Sequence, residues 1–212
     1  MENGRITFHC NGLVRGLVNG NDTWWYVTGS KVNFCNTVAS NACGWWKITN
    51  GRVDFDFSGL AENAYGWWKI TNGQVDFSYV GYEQNGSNWW YVYGGQVCFQ
   101  ATDVLPGTVG GQYGWWKVCE GKVNFDDDVC ENAYGWWKIT TGKVDFQYTC
   151  LAQNACGWWM IQNGHVNFGS NGLVDNGNGW WLVKNGCVDF TYNGLVDNGN
   201  GWWLIRNGYV DF

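Results

Sequence analysis

Eighteen tryptophans are the side chains of this 212-residue chain with most chemistry to offer, and every one stands in a Trp-Trp pair. The pairs begin at Trp24, Trp45, Trp67, Trp89, Trp115, Trp136, Trp158, Trp180 and Trp202. An exposed indole can stack on a sugar ring or hold a quaternary ammonium by cation–π attraction, worth about 0.5–2 kcal/mol per contact. Tyr65, Tyr113 and Tyr134 stand two residues ahead of a pair and could complete a shallow aromatic pocket with it. A net charge of −6 suits a cationic ligand and opposes nucleic acid, whose phosphates want a basic face. The first indole of each pair could equally pack between successive structural units, and one ring can do both.

Other reactive side chains form no recognisable site. The nine cysteines do not recur with the tryptophans: Cys35 and Cys43 share one linker, Cys150 and Cys156 another, and Cys119 lies close to Cys130. No C-x-x-C spacing occurs, so zinc is not expected, and the odd total leaves one thiol without an intrachain partner. Asp126-Asp127-Asp128 and the twin loops Asp175-Asn176-Gly177-Asn178 and Asp197-Asn198-Gly199-Asn200 offer oxygens to a cation. They lack the spacing and closing Glu of an EF-hand and read as solvated turns. His9 and His165 fall in different units without a Ser or Cys in catalytic arrangement. The expectation is a protein that is not an enzyme, with no cofactor and no metal.

The spacing of the pairs dictates what must position them. Successive pairs lie 21, 22, 22, 26, 21, 22, 22 and 22 residues apart. From the first Trp to a closing Phe each unit has a fixed eleven residues, as in Trp45-Trp46-Lys47-Ile48-Thr49-Asn50-Gly51-Arg52-Val53-Asp54-Phe55. Only the linkers vary, mostly 10 or 11 residues with 15 at 9–23 and 100–114, the latter holding the only proline, Pro106. A 22-residue period means an array of stacked repeats. With 19% aromatic residues the chain is far too apolar for disorder, and no 18-residue apolar run offers a membrane span. Residues 1–212 read as a single array, with possible sub-segments 1–99 and 115–212 around the longer linker 100–114. Residues 3–8, Asn-Gly-Arg-Ile-Thr-Phe, repeat the second half of the motif, and no secretory signal precedes them. The phase suggests a segment of a longer array.

Each eleven-residue unit predicts a β-hairpin, because Asn-Gly between apolar-alternating runs is the strongest short hairpin signal. Asn-Gly occupies the turn at 50–51, 72–73, 163–164, 185–186 and 207–208; Gly29-Ser30, Gly94-Gly95, Glu120-Gly121 and Thr141-Gly142 fill it elsewhere. A two-residue turn sets Thr49 opposite Arg52, Ile48 opposite Val53, Lys47 opposite Asp54 and Trp46 opposite Phe55. One face then carries Trp46, Ile48, Val53 and Phe55 as core. The other carries the first Trp and the pairs Lys47–Asp54, Lys69–Asp76 and Lys138–Asp145, read as a solvated face worth about 0.2–1 kcal/mol per pair. A lone hairpin is marginal in water, so linkers such as Phe57-Ser58-Gly59-Leu60-Ala61 could add a short third strand or a latch. The fold expected is all-β, a solenoid of stacked β-hairpins with about nine ~22-residue repeats plus an N-terminal half repeat.

The Gly-Trp-Trp and Asn-Gly-x-Val-Asp-Phe elements resemble the Trp-rich tandem repeats of Gram-positive surface and secreted proteins, with or near the choline-binding and cell-wall-binding repeat families and the repeats of clostridial toxin tails. Gly44-Trp45, Gly66-Trp67 and Gly135-Trp136 match the Gly-Trp half of the choline-binding pattern. Its later aromatic positions hold Val53-Asp54, Val75-Asp76 and Val144-Asp145 here, and a second Trp such as Trp46 is inserted. The resemblance implies stacked hairpins that attach a protein to wall-linked choline or to surface glycans. It makes this chain a non-catalytic module for a cell-envelope polymer or surface glycan, with choline among the candidate ligands, at an extracellular or cell-surface location. No nucleic-acid partner and no membrane insertion are expected; self-association is open. The alternative is a structural spacer, fibre or protein-binding stalk in which every Trp serves as glue.

Overall fold

One period of the chain makes three antiparallel strands. Gly59–Asn63 leads out, Gly66–Thr71 returns, and Gln74–Val75 folds back across the Asn72-Gly73 turn. Gly59 pairs with Ile70, Ala61 with Trp68, Asn63 with Gly66, then Ile70 with Val75 and Thr71 with Gln74. The linker is therefore the better-paired arm, five residues against two. The computed structural model describes residues 10–212; the half repeat at 3–8 and His9 lie outside them. Among the described residues there are twenty-seven strands and no helix, which is the all-β solenoid of stacked hairpins that the period implies. Contacts gather the chain into two units, residues 1–101 with 120–122, and residues 102–119 with 123–212. Both 15-residue linkers are strands as well: Gly12–Val18 pairs with Asn21–Thr28 in the first unit, and Asp103–Val109, Pro106 included, with Gln112–Cys119 in the second.

The register follows the turn. Thr49 opposes Arg52 and Ile48 opposes Val53. Asn50, Asn72, Asn163, Asn185 and Asn207 adopt φ of 48–51°, and the glycines after them 75–79°, the two positive angles of a type I′ turn. Glu120 and Thr141 are forced to φ of 50° as well, a costly conformation for a β-branched residue. A polar side chain fourteen residues upstream caps the Thr141 turn and each Asn-Gly turn. Thr141 N–H donates to Asp127 Oδ1 (2.7 Å), Asn72 N–H to Ser58 Oγ (3.1 Å) and Asn163 N–H to Thr149 Oγ1 (3.0 Å).

Successive repeats are joined through the turn glycine. The Gly73 carbonyl accepts from Lys47 N–H of the preceding repeat, while Gly73 N–H donates to the Phe57 carbonyl at the start of its own, both at 2.8 Å. Gly95 does the same with Tyr79 and Lys69, and Gly164 with Tyr148 and Lys138. A Cβ on Gly73 would fall 2.5 Å from the Asp54 carbonyl oxygen and 2.6 Å from Phe55 Cα. Trp46 then pairs with Gln74 and Trp68 with Gln96, so the strand bearing Trp-Trp also meets the last strand of the next repeat.

Burial separates the expected core face into two parts. Ile48, Ile70, Ile139, Ile161 and Ile205 are fully buried, with the valines opposite them. The closing Phe residues are not core: they are 39–80% exposed, from Phe99 to Phe212. The pairing runs one bond past the valine, Asp54 N–H donating to the Lys47 carbonyl (2.9 Å), and each Phe then meets its own second Trp edge-on at the rim, at 5.3–6.2 Å in all nine repeats. The lysine face is likewise not the solvated face expected. Lys138 is buried, Lys69 pairs with Glu83 (2.8 Å) rather than Asp76, and Lys138 lies 3.6 Å from Asp127 rather than bridging to Asp145. Lys47, Lys69 and Lys138 lie over the rings of Phe57, Tyr79 and Tyr148. Lys47 Nζ donates to the Ile48 carbonyl, while Asp54 accepts from Thr49 Oγ1. These lysine stems cover linker aromatics, a packing role.

The aspartate of Val-Asp-Phe instead caps the bend after it. Asp189 accepts from Lys184 Nζ (2.8 Å) and from Thr191 Oγ1 (2.7 Å) and N–H (3.1 Å). The Lys184 bond first, then Thr191, holds its carboxyl down at about 2. A depressed folded value stabilises above the unfolded value of about 3.9 and stops doing so as pH falls through about 2. The Asp189 carboxyl carbon should therefore titrate by NMR near 2, and Lys184→Met should move it upward. A midpoint unmoved by that substitution would contradict the assignment.

The glycine joint makes a sharper prediction. Gly111 has the same φ of 79° as Gly73 but open space where its Cβ would go. Gly111→Ala should cost about 1–2 kcal/mol from backbone strain alone. Gly73→Ala adds overpacking against backbone and should cost about 2–5 kcal/mol in denaturant titration. Equal costs would remove the joint from its place in the fold.

Candidate functional site

The turn between the two long strands is built by one asparagine. Asn63 Oδ1 accepts from Tyr65 N–H and from the Trp68 indole Nε1–H, both at 2.9 Å. Its Nδ2 donates to the Val38 carbonyl of the preceding repeat (3.1 Å). Asn132 makes the same three bonds to Tyr134, Trp137 and Val104, and Asn154 to Cys156, Trp159 and Val129. One side chain thus fixes the second Trp, the turn residue and the stacking of repeats together. In the repeats of Trp90, Trp181 and Trp203 the buried indole nitrogen reaches no acceptor.

That scaffold sets the first Trp of one repeat against the second Trp of the next. Ring centroids lie 4.9 Å apart for Trp45 and Trp68, 5.3 Å for Trp67 and Trp90, 5.6 Å for Trp115 and Trp137, 5.6 Å for Trp136 and Trp159, and 5.1 Å for Trp158 and Trp181. The first-position indoles Trp45, Trp67, Trp89, Trp115, Trp136 and Trp158 are half-buried, while Trp24, Trp180 and Trp202 are exposed. These rings pack between repeats and keep an open part.

Tyr65 and Tyr134 join such clusters, but not with the Trp two residues downstream. Each faces the first Trp of the preceding repeat: Tyr65 lies 6.1 Å from Trp45, and Tyr134 5.4 Å from Trp115. The turn carries its third residue back over the neighbour below. Tyr113 is placed differently, within the strand Gln112–Cys119 opposite Thr108. Phe77 and Phe146 complete the two clusters at 6.0 and 6.4 Å from Trp45 and Trp115. On the far side of the second Trp stands the residue after the next turn glycine. Gln96 pairs with Trp68 and donates to the Tyr65 carbonyl (2.8 Å), and His165 meets Trp137 edge-on at 4.8 Å. Gly66 sits at φ of 137°, a backbone that L side chains rarely adopt, and a Cβ there would come within 2.6 Å of Gln96 Nε2.

Around the first cluster a groove of about 780 Å³ is lined by Trp45, Tyr65, Trp68, Tyr26, Ser40, Asn63 and Gln96. Smaller clefts of about 190 and 100 Å³ lie at the equivalent rims, one bearing Trp24, Trp46, Phe55 and Cys43, the other Trp180, Trp203 and Phe212. A carboxylate also touches one of the indoles, since Trp67 Nε1–H donates to Glu62 Oε2 (2.9 Å). Aromatic faces and amides are groups of the kind that receive a cation or a sugar.

The choline-binding repeat family matches residues 15–33, 56–76, 78–98, 147–167, 169–189 and 191–211, more than half of the chain. The chain belongs to this family. Among solved structures it is similar to choline binding protein F from Streptococcus pneumoniae, at 14% identity over 92% of this chain and 72% of that one, with a TM-score of 0.36. No curated protein matches it. Membership of the choline-binding repeat family makes the chain a binding module. Each matched segment runs through a linker strand, the Trp-Trp strand and the Val of the last strand, so the family's unit is the three-stranded period.

Sequence reasoning missed half of each cluster of these choline-binding repeats. Trp68 is buried as the register implies, but it and Trp137 also face the first Trp of the repeat before; Phe77 and Phe146 are exposed rim residues of the clusters, and the roles of Asn63, Asn132 and Gln96 do not follow from the hairpin register. The signal available was the recurrence of Asn-Ala-x-Gly ahead of Trp-Trp at Asn41, Asn63, Asn132 and Asn154. The nine cysteines are all unbridged. Cys130 is no reactive thiol, because burial, then Asp128, pushes it up to about 12. Among the described residues no helix is long and apolar enough to cross a membrane.

Asn63→Ala should cost about 1–3 kcal/mol, since it strands the indole N–H of Trp68 inside the fold. Asn176→Ala removes only a bond from Asn178 N–H, because the indole of Trp181 already reaches no acceptor. It should cost clearly less in the same urea titration. A reversed order would show that the asparagine does not anchor the second Trp.

Proposed function

We propose that the chain is a non-catalytic adhesion module of the bacterial cell surface that holds a choline-bearing envelope polymer at its inter-repeat aromatic clusters. The observation that carries this reading is the grouping of Trp45, Tyr65, Trp68 and Phe77, repeated as Trp115, Tyr134, Trp137 and Phe146. Quaternary ammonium groups are held by aromatic faces rather than by hydrogen bonds. The acidic net charge and the carboxylate of Glu62 beside Trp67 favour a cation over an anionic polymer. Surface glycan is the neighbouring possibility, since the same indoles and the amides of Asn63 and Gln96 could receive a sugar. Each site is shallow and weak, and several sites on one chain gain affinity by linkage.

The spacer reading draws on the same contacts, because every first Trp that touches the next repeat also glues it. Titration with choline, with a choline-decorated wall polymer and with choline-free glycans separates the readings. Trp fluorescence should respond to choline at millimolar concentrations and to the decorated polymer at far lower concentrations of choline groups. A folded chain with a flat response to all three would establish the spacer.

A further inference from the structure

We infer that the third residue of the Asn-x-x-Gly turn decides which interfaces hold ligand, and that two sites per chain are complete, one in each unit. This rests on the choline-type reading above and adds to it a count and a determining residue. Tyr65 and Tyr134 occupy that turn position and are 75% and 76% exposed, so neither ring is used up in packing. Each stands over a first Trp that already touches a second Trp and a closing Phe. Each cluster therefore gathers four rings from two repeats about the first Trp, with the tyrosine as its exposed member.

At the other interfaces with a Trp-Trp contact the turn presents a different residue. Cys43 and Cys156 fill the position in turns whose Asn41 and Asn154 make the same bonds to the turn N–H and the second indole. Ser87, Asn178 and Asn200 fill it in the repeats of Trp90, Trp181 and Trp203, whose indoles reach no acceptor. The Trp-Trp contact persists without tyrosine, at 5.3, 5.6 and 5.1 Å for the pairs 67–90, 136–159 and 158–181. Stacking of repeats therefore does not require the tyrosine. An exposed aromatic that stacking does not require is left to face a ligand. The cleft of Trp24, Trp46 and Phe55, with Cys43 at its rim, is a site short of one ring.

Equilibrium dialysis and calorimetric titration with choline chloride test the assignment. The wild-type chain should bind two cholines. Tyr65→Ala and Tyr134→Ala should each weaken one site about fivefold, the size of one cation–π contact, while Tyr65→Phe keeps it. Circular dichroism should show both variants folded, because the turn is held by Asn63 or Asn132 and not by the tyrosine. Cys43→Tyr should add a third site, and Cys156→Tyr serves the same purpose should the first variant fail to fold. Two sites unaffected by either Tyr→Ala change would overturn the assignment and leave the choline reading standing. A folded wild-type chain that binds no choline would overturn both.

Discussion

Each repeat meets its predecessor at a single residue, the second of the two-residue turn, whose carbonyl takes a backbone N–H from the repeat before and whose N–H is held by its own linker. Gly73 gives its N–H to Phe57 and takes the N–H of Lys47, and the pattern recurs in both units. No side chain could occupy that point, because the neighbouring repeat's backbone already fills it. The turn is type I′, with both central residues at positive φ, and its second position takes glycine because a Cβ there would meet the neighbour's backbone. The turn in turn sets Ile opposite Val, and that pairing buries the one fully dry layer of the fold. A hairpin too small to stand alone is stabilised because its strongest polar bonds are shared with the next one.

This joint explains why the aromatic clusters lie between repeats rather than within them. Staggering one turn against the neighbour's last strand slides the second Trp of one repeat beneath the first Trp of the repeat before. The asparagine ahead of Gly-Trp-Trp then spans the same step, with its amide nitrogen on the repeat before and its oxygen on its own Trp. A binding surface assembled this way recurs with the period, and its quality varies only through residues the joint leaves free. The turn position of Tyr65, Cys43 and Ser87 is one of these, and the site facing Trp137, where His165 replaces the Gln96 of the first unit, is another.

The period, the hairpin turn and the Ile–Val register were legible in the sequence because each is a local statement. Asn-Gly dictates two positive φ angles, and those angles dictate which residues face each other across two positions. Beyond Val53 the register still held, with Asp54 bonded to Lys47 and Phe55 against Trp46, but the burial expected of Phe55 failed because that pair lies at the open rim of the repeat. Lys47 and Asp54 failed for a related reason. Their alternation was right, but the face they share was assigned to water when it is the face presented to the next repeat. Tyr65 stands beside Trp45 and not beside the Trp two residues downstream, because proximity along the chain cannot reveal a partner twenty residues earlier that only stacking brings near.

The double duty of the first-position indoles follows from these facts. Pulling Trp45 wholly into the stack would bury more apolar surface, and leaving it wholly exposed would give a ligand both faces. The observed half-burial divides the ring: one side packs on Trp68 and Phe77, while its rim stays open beside Tyr65. Packing then supplies the rigidity that a weak cation–π site needs, since a ring already held in place loses no further freedom when a ligand arrives. An array of such sites trades strength at any one position for a surface that holds each aromatic face ready, and the polymer that repeats its own charged group is the ligand for which that exchange is favourable.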